Sequence, residues 1–339
     1  VQTCALPIFI VIITSLLCTR YSILKAIIFC LSIFTLFAVI KTLMQKFIGF
    51  DSFETKWLNA GGATTHIIWS GIRYFSFFTD ASNMGANMGA AIMFFGIASL
   101  YMRSALCKIY YSCIAILALY ALFLSGTRGA MIVPLAGLAL YTLISKQTKM
   151  VIGGASMLLF IYIFFAFTTI GQSNSSIRRI RTAFNPTKDA SYIVRKENQK
   201  KLATYLKYKP FGEGLGLSGD GLGVKISTRF TTSIPTDSWY VKIWVETGIV
   251  GLILYLSMIF FTIGWGGWII ATQIKDLELK GLLSGLLCGI FGMFINAYAN
   301  SFWGQFPTMI IAFMGLTFVL NGPYFDKEIR IKKLTVSNK

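Results

Sequence analysis

Acidic residues are scarce in this 339-residue chain: 13 Asp and Glu stand against 31 Lys and Arg, and charged residues of both signs make up only 13% of it. With 55% hydrophobic residues and a mean hydropathy of +0.67, that excludes a soluble globular class, which could not hide so much apolar surface. Histidine is rarer still. His66, the only one, has no metal-ligand pattern around it, so no metal site is expected and it reads as a bystander. Besides Cys4, the cysteines are Cys18, Cys30, Cys107, Cys113 and Cys288, all in or beside apolar runs. None has metal-ligand spacing and none lies in a polar loop where a disulfide would form, so they read as small buried hydrophobes. Coiled-coil repeats, low-complexity tracts and a separate soluble domain are also missing.

What is present is a series of apolar runs, each long enough to carry a helix across about 30 Å of hydrocarbon. Nine are predicted, near 6–18, 26–44, 84–102, 109–125, 130–145, 150–170, 247–269, 281–299 and 305–321. The fold class is therefore an all-α polytopic membrane bundle with one large, partly helical loop. Arg20 and Lys25, Arg103 and Lys108, Lys146 and Lys149, Lys275 and Lys280, and Lys327 to Lys333 fall on one side under this count. The positive-inside bias makes that side cytoplasmic, so 45–83, 126–129, 171–240 and 300–304 face outward. Val1–Ile8 lacks an initiator Met and matches the translation of a common sequencing-adapter string. Residues 1–8 are thus expected to be an assembly scar, with the native protein beginning upstream. The rest divides into N-terminal membrane helices at 9–170, the loop at 171–240, C-terminal helices at 241–321, and a basic cytoplasmic tail at 322–339 that reads as an anchor.

The loop at 171–240 carries twelve cations, among them Arg195, Lys209 and Arg229, against five anions. Long loops translocate largely regardless of charge, so these cations need a reason other than topology. Anionic lipid headgroups or a phosphorylated ligand would supply one. Asp189 is placed to cap a helix that runs to about Tyr208 and stops at Pro210, with Arg195, Gln199, Leu202 and Leu206 along one face. Gly214-x-Gly216-x-x-Gly219 formally matches a dinucleotide fingerprint, but no βαβ unit surrounds it. Those glycines let backbone approach a ligand or let the loop fold back on the membrane. Elsewhere, Gly281, Gly285 and Gly289, like Gly85 and Gly89, have the spacing of close helix packing.

Two residues have competing readings. Arg128, in Ser125-Gly-Thr-Arg-Gly-Ala130, sits between two apolar helices with almost no loop to carry it into water. It either snorkels to headgroups or provides a fixed cation at the rim of a cavity, where its planar fork suits a pyrophosphate. Asp237 either caps a helix beginning at Ser238 or serves as a general base at the membrane surface. Asp80 or Asn83 is expected to cap the helix after the first outward segment, and Glu246 to pack as a polar residue near the interface.

Taken together, these residues resemble the O-antigen ligase and polymerase superfamily of bacterial membrane glycosyltransferases. The likeness rests on Ser125-Gly-Thr-Arg128-Gly-Ala130, on Arg195 followed by Lys209-Pro-Phe-Gly-Glu-Gly214-Leu-Gly216, and on Asp237-Ser-Trp-Tyr240 with Glu246-Thr-Gly248-Ile-Val-Gly251. In order and spacing it extends over about 73–255. It implies a metal-independent, inverting transfer at the periplasmic face of the bacterial inner membrane, without a cofactor. The donor is then a glycan on undecaprenyl pyrophosphate, and the acceptor a hydroxyl on lipid A core or on another glycan; nucleic acid has no part. By the resemblance, Arg128 and Arg195 hold the pyrophosphate; Arg73, in the first outward loop, is expected to assist them. A histidine commonly stands where this chain has Asp237, and the resemblance makes that position the base. Ligase and polymerase both fit. A lipid-linked glycan transporter would instead show inverted repeats and helices broken near the midplane.

Overall fold

The computed structural model describes residues 2–68, 71–145, 190–219 and 227–337, with scattered positions between 152 and 181 and Val224. It is an all-α membrane protein whose strands, among the described residues, are one short ribbon. The membrane helices are α1 (Gln2–Leu17), α2 (Tyr21–Phe47), α5 (Ala81–Tyr101), α6 (Ala105–Leu124), α7 (Ile132–Ser145), α9 (Trp239–Thr272), α10 (Leu277–Asn296) and α11 (Thr308–Leu320). Short helices α3 (Ser52–Trp57) and α4 (Ala63–His66) and the ribbon β1 (Ile67–Ile68) with β2 (Gly71–Ile72) fill the segment between α2 and α5. Helix α8 (Ala190–Leu206) belongs to the basic loop, and α12 (Gly322–Ser337) follows α11 at a 55° bend.

Among the described residues, five of these helices are long and apolar enough to cross a membrane, or six if α11 and α12 form one bent span. Of the nine predicted runs, those at 6–18 and 130–145 form helices shorter than that, and the one at 150–170 is described only in part. The run at 247–269 undershoots, because α9 starts at Trp239 and continues through a break at Gly248 (φ 68°).

Helices α5 and α10 form the centre. Their most apolar windows are 78% and 83% buried, against 28% for α2 and α6 and 17% for α9, whose outer faces are left for lipid. Small residues make this possible. A Cβ at Gly285 would come 2.7 Å from the Phe94 carbonyl, one at Gly85 2.7 Å from Ser125 Oγ, and one at Gly137 2.8 Å from the Cys288 carbonyl. Helix packing thus accounts for the glycine spacing in α5 and α10. The cysteines depart from expectation: among the described side chains Cys288 is buried and Cys18 half-buried, while Cys30, Cys107 and Cys113 are exposed. Lipid is as apolar as the protein interior, so a thiol in a span is not driven inward.

One end of the bundle is laced by ion pairs. Arg103 bonds Asp276, Lys25 bonds Glu278 at 2.7 Å and Lys333 bonds Asp276 at 2.9 Å, joining α2, the turn before α6, α10 and α12. Within α12, Asp326 accepts the backbone N–H of Asp276 at 2.8 Å. The tail is thus a helix clasped to the bundle.

Candidate functional site

At the opposite end, the segment before α5 is organised around His66. Its Nε2 accepts the N–H of Ala81 at 3.1 Å, and its Nδ1 lies 3.1 Å from the Gly62 carbonyl, which needs the proton on Nδ1. Trp57 and Phe75 each meet the ring edge-on, with centroids 4.9 and 5.1 Å away. Burial pushes the imidazole pKa below its ordinary value and keeps the ring neutral. His66 is therefore a structural pin at the start of α5, which corrects the bystander reading. Asp80 caps the same helix, accepting from Ser82 and Asn83 at 2.6 and 2.9 Å.

This pinning sets Arg73. Its backbone N–H donates to the His66 carbonyl at 2.8 Å. Its guanidinium donates to the Thr65 carbonyl at 3.0 Å, Ser82 Oγ at 3.2 Å and Thr127 Oγ1 at 2.8 Å, all neutral acceptors. Burial, opposed by the carboxylate of Asp80 and reinforced by the charges of Arg128 and Arg195, holds its pKa below the ordinary arginine value. The guanidinia of Arg128 and Arg195 thus stand within electrostatic reach of that of Arg73. Like charges are collected in this way only at a cost, which an anion can relieve.

Arg128 follows a turn fixed by its neighbours. Ser125, fully buried, donates to the Leu122 carbonyl at 2.8 Å, and Gly126 takes φ 56°. Thr127 Oγ1 donates to the Ala81 carbonyl at 3.0 Å while accepting from Arg73. Gly129 packs so tightly that a Cβ there would lie 2.6 Å from Asn300 Nδ2. The short motif thereby locks α5, the first outward segment and the loop before α11 together, with Arg128 among them.

Arg195 arrives from α8. Leu202 and Leu206 on that helix are buried against Ile234, Val241 and Val245, which docks α8 on the start of α9. Arg195 lies on the same face about 10 Å farther along, at seven residues of helical rise. The expected cap Asp189 lies outside the described residues. The glycine-rich stretch then folds back on the break in α9. Glu213 and Gly214 donate backbone N–H groups to the carbonyls of Val245 and Glu246 at 2.9 and 3.0 Å, and Val250 donates to the Pro210 carbonyl at 3.3 Å. In an unbroken helix Ile249 and Val250 would satisfy those two carbonyls, so the loop replaces the helical bonds that the break removes. Gly212 (φ 75°) and Gly248 permit the approach, since a Cβ on Gly248 would collide with the Pro210 carbonyl. These glycines serve loop docking. Glu246, as expected, packs as a polar residue and accepts from Ser218 Oγ at 2.7 Å.

Asp237 precedes α9. The cap position is Ser238, which makes no side-chain capping bond, and Asp237 sits one residue outside the helix at φ 52°. That corrects the cap reading. A non-glycine residue in the left-handed region carries strain of about 1–2 kcal/mol and invites a functional explanation.

Arg73, Arg195 and Asp237 all line one cavity of about 590 Å³, together with Lys242, Asn300 and Gln305. Arg128 is not among the residues that line it, and its charge acts on Arg73 from the Ser125–Ala130 turn. A second cavity, of about 510 Å³, is almost wholly apolar, lined by Phe34, Phe77, Phe78, Met88, Phe306 and Met314 among others. Gln305 lines the first and the next residue in the chain, Phe306, lines the second. Thr79 donates to Gln305 Oε1, and Asn83 Nδ2 donates to the Phe306 carbonyl at 2.9 Å. Among the described residues no group of three His, Cys, Asp or Glu could hold a metal.

Residues 113–256 match the family model described as O-antigen ligase. The match spans 144 of the 339 residues and supports the likeness to the O-antigen ligase and polymerase superfamily. No curated protein and no solved structure matches it. The O-antigen ligase match contains Arg128, Arg195 and Asp237, whereas Arg73 lies before it. Sequence reading missed the cavity residues Lys242, Asn300 and Gln305 and the bridging role of Thr127. The available signals were the polar run Asn300-Ser301 between two spans and the position of Lys242 just after the Asp237 motif.

Proposed function

We propose that this chain transfers a glycan from undecaprenyl pyrophosphate to an acceptor hydroxyl, on lipid A core or on another glycan. The observation that carries the reading is a cationic cavity and an apolar one whose linings include the consecutive residues Gln305 and Phe306. An amphiphile with an anionic head and a prenyl tail suits such a pair: phosphates among the arginines, tail along the phenylalanines.

In this reading Arg73, Arg128 and Arg195 hold the pyrophosphate. Asp237 accepts the proton of the acceptor hydroxyl, whose oxygen attacks the anomeric carbon from the face opposite the carrier. As the new glycosidic bond forms, the bond to pyrophosphate breaks and its electron pair stays with the phosphate oxygen. Prearranged guanidinia stabilise that charge as it develops, so a metal is not required for the step. The site opens at the outward end of an inner-membrane protein, with the basic loop in the periplasm.

The test is transfer of labelled glycan from its undecaprenyl-pyrophosphate carrier by the reconstituted full-length protein. Arg195→Ala and Arg128→Ala are expected to lower the rate by about 10²–10³-fold. Undiminished transfer in both would sink the donor-site assignment.

A further inference from the structure

The transfer reading leaves one wall of the cavity unused. Lys242 lines it from α9, one turn past Ser238, whose carbonyl accepts the Lys242 backbone N–H at 3.0 Å. The ammonium stands 5.4 Å from the centroid of the Trp239 ring. That ring is itself held, donating Nε1–H to Tyr255 Oη at 3.1 Å, with Gly304 so close that a Cβ would come 2.6 Å from it. No carboxylate among the described residues lies within ion-pair distance of Lys242. Asn300, Ser301 and Gln305 line the same cavity and offer neutral amide and hydroxyl groups.

The chemistry of this wall differs from that of the arginine wall. Amide and hydroxyl groups suit saccharide hydroxyls, and a cation kept in place by a fixed indole suits a negative substituent. Asp80 and Asp237 match Arg73 and Arg195 in number along this cavity, so Lys242 leaves its lining net positive unless an anion meets it. A neutral sugar would leave that charge uncompensated.

We propose that Lys242 binds the negative substituent of an acidic saccharide acceptor, held beside Asp237 on the α9 wall. The proposal rests on the transfer reading, because Asp237 defines which wall faces the acceptor. Trp239 acts through Lys242 as a positioning residue.

The experiment uses the detergent-solubilised full chain on an array of neutral, uronate-bearing, phosphorylated and methyl-esterified uronate oligosaccharides. Inorganic pyrophosphate binding is measured in parallel by calorimetry. Wild type is expected to retain acidic saccharides about tenfold better than their neutral esters. Lys242→Met should abolish that preference, Lys242→Arg should keep it, and pyrophosphate affinity should stay within about twofold in both. Preference for uronates over phosphosugars, or the reverse, identifies the substituent, and either supports the assignment. Equal retention of acidic and neutral saccharides by wild type overturns it. So does a loss of pyrophosphate affinity in Lys242→Met, which would place Lys242 in the arginine cluster. Failure of wild type to bind pyrophosphate, with the acidic preference intact, would count against the transfer reading alone.

Discussion

Arg73 and Thr127, fifty-four positions apart, are joined by a 2.8 Å hydrogen bond in which the guanidinium donates to a hydroxyl that itself donates to the Ala81 carbonyl. Through that hydroxyl the first outward segment, the start of α5 and the Ser125–Ala130 turn hold one cation at the cavity.

Replacing Thr127 by Val keeps the shape and removes both bonds. The buried Ala81 carbonyl and an Arg73 N–H then lose partners, at about 1–3 kcal/mol. A lower melting temperature and reduced glycan transfer are expected, and Thr127→Ser should restore both. A Val variant with wild-type transfer would show that Arg73 needs no such fixing.

At Gly248 and Gly212 the backbone is left-handed and the space for a side chain is filled by the opposing chain. Alanine at either position is expected to undock the loop, at a cost of about 1–3 kcal/mol or more. Limited proteolysis between 190 and 219 reads this directly, and unchanged resistance would contradict it.

Acid should undock the same loop. Burial alone would raise the Glu213 carboxyl, but hydrogen bonds from Lys209 and Arg229 outweigh it and hold the pKa below the ordinary glutamate value. A depressed folded-state pKa means stability that is present above the unfolded value near 4.5 and lost as pH falls through the folded one. Amide exchange at Glu213 and Gly214 should therefore stay slow above about pH 4.5 and quicken below it. Glu213→Gln should remove the pH dependence.

For Asp237, strain and chemistry separate by substitution. Asp237→Gly takes φ 52° freely, so it should leave stability unchanged or raise it by up to about 1 kcal/mol while transfer is lost. Asp237→Asn tolerates the same backbone and removes only the proton acceptor. Full transfer by either variant would leave the residue a purely conformational role.

Much of the architecture was legible because apolar length and glycine spacing report directly on spans and their packing. Arg195 could be placed because Leu202 and Leu206 on its face mark the side that docks. Other features were hidden for physical reasons. The role of His66 depends on Trp57, Phe75 and Ala81 meeting it in space, and no local pattern encodes that. Asp237 looked like a cap because spacing cannot reveal a positive φ. The start of α9 was missed since its first turns are covered by protein and need not be uniformly apolar. Lys242, Asn300 and Gln305 share a wall only after α9 and α10 are packed, Trp239 N–H on the Ala297 carbonyl at 3.0 Å.

The break in α9 also bears on how this chain can be recombined with others that carry the O-antigen ligase segment. Because the carbonyls of Val245 and Glu246 take their donors from residues 213 and 214, loop and span exchange backbone bonds as strands of one sheet do. A chimera that imports only the outward loop would strand those carbonyls in apolar surroundings. The transferable module therefore runs from α8 through at least Val250 and includes a segment of the membrane domain.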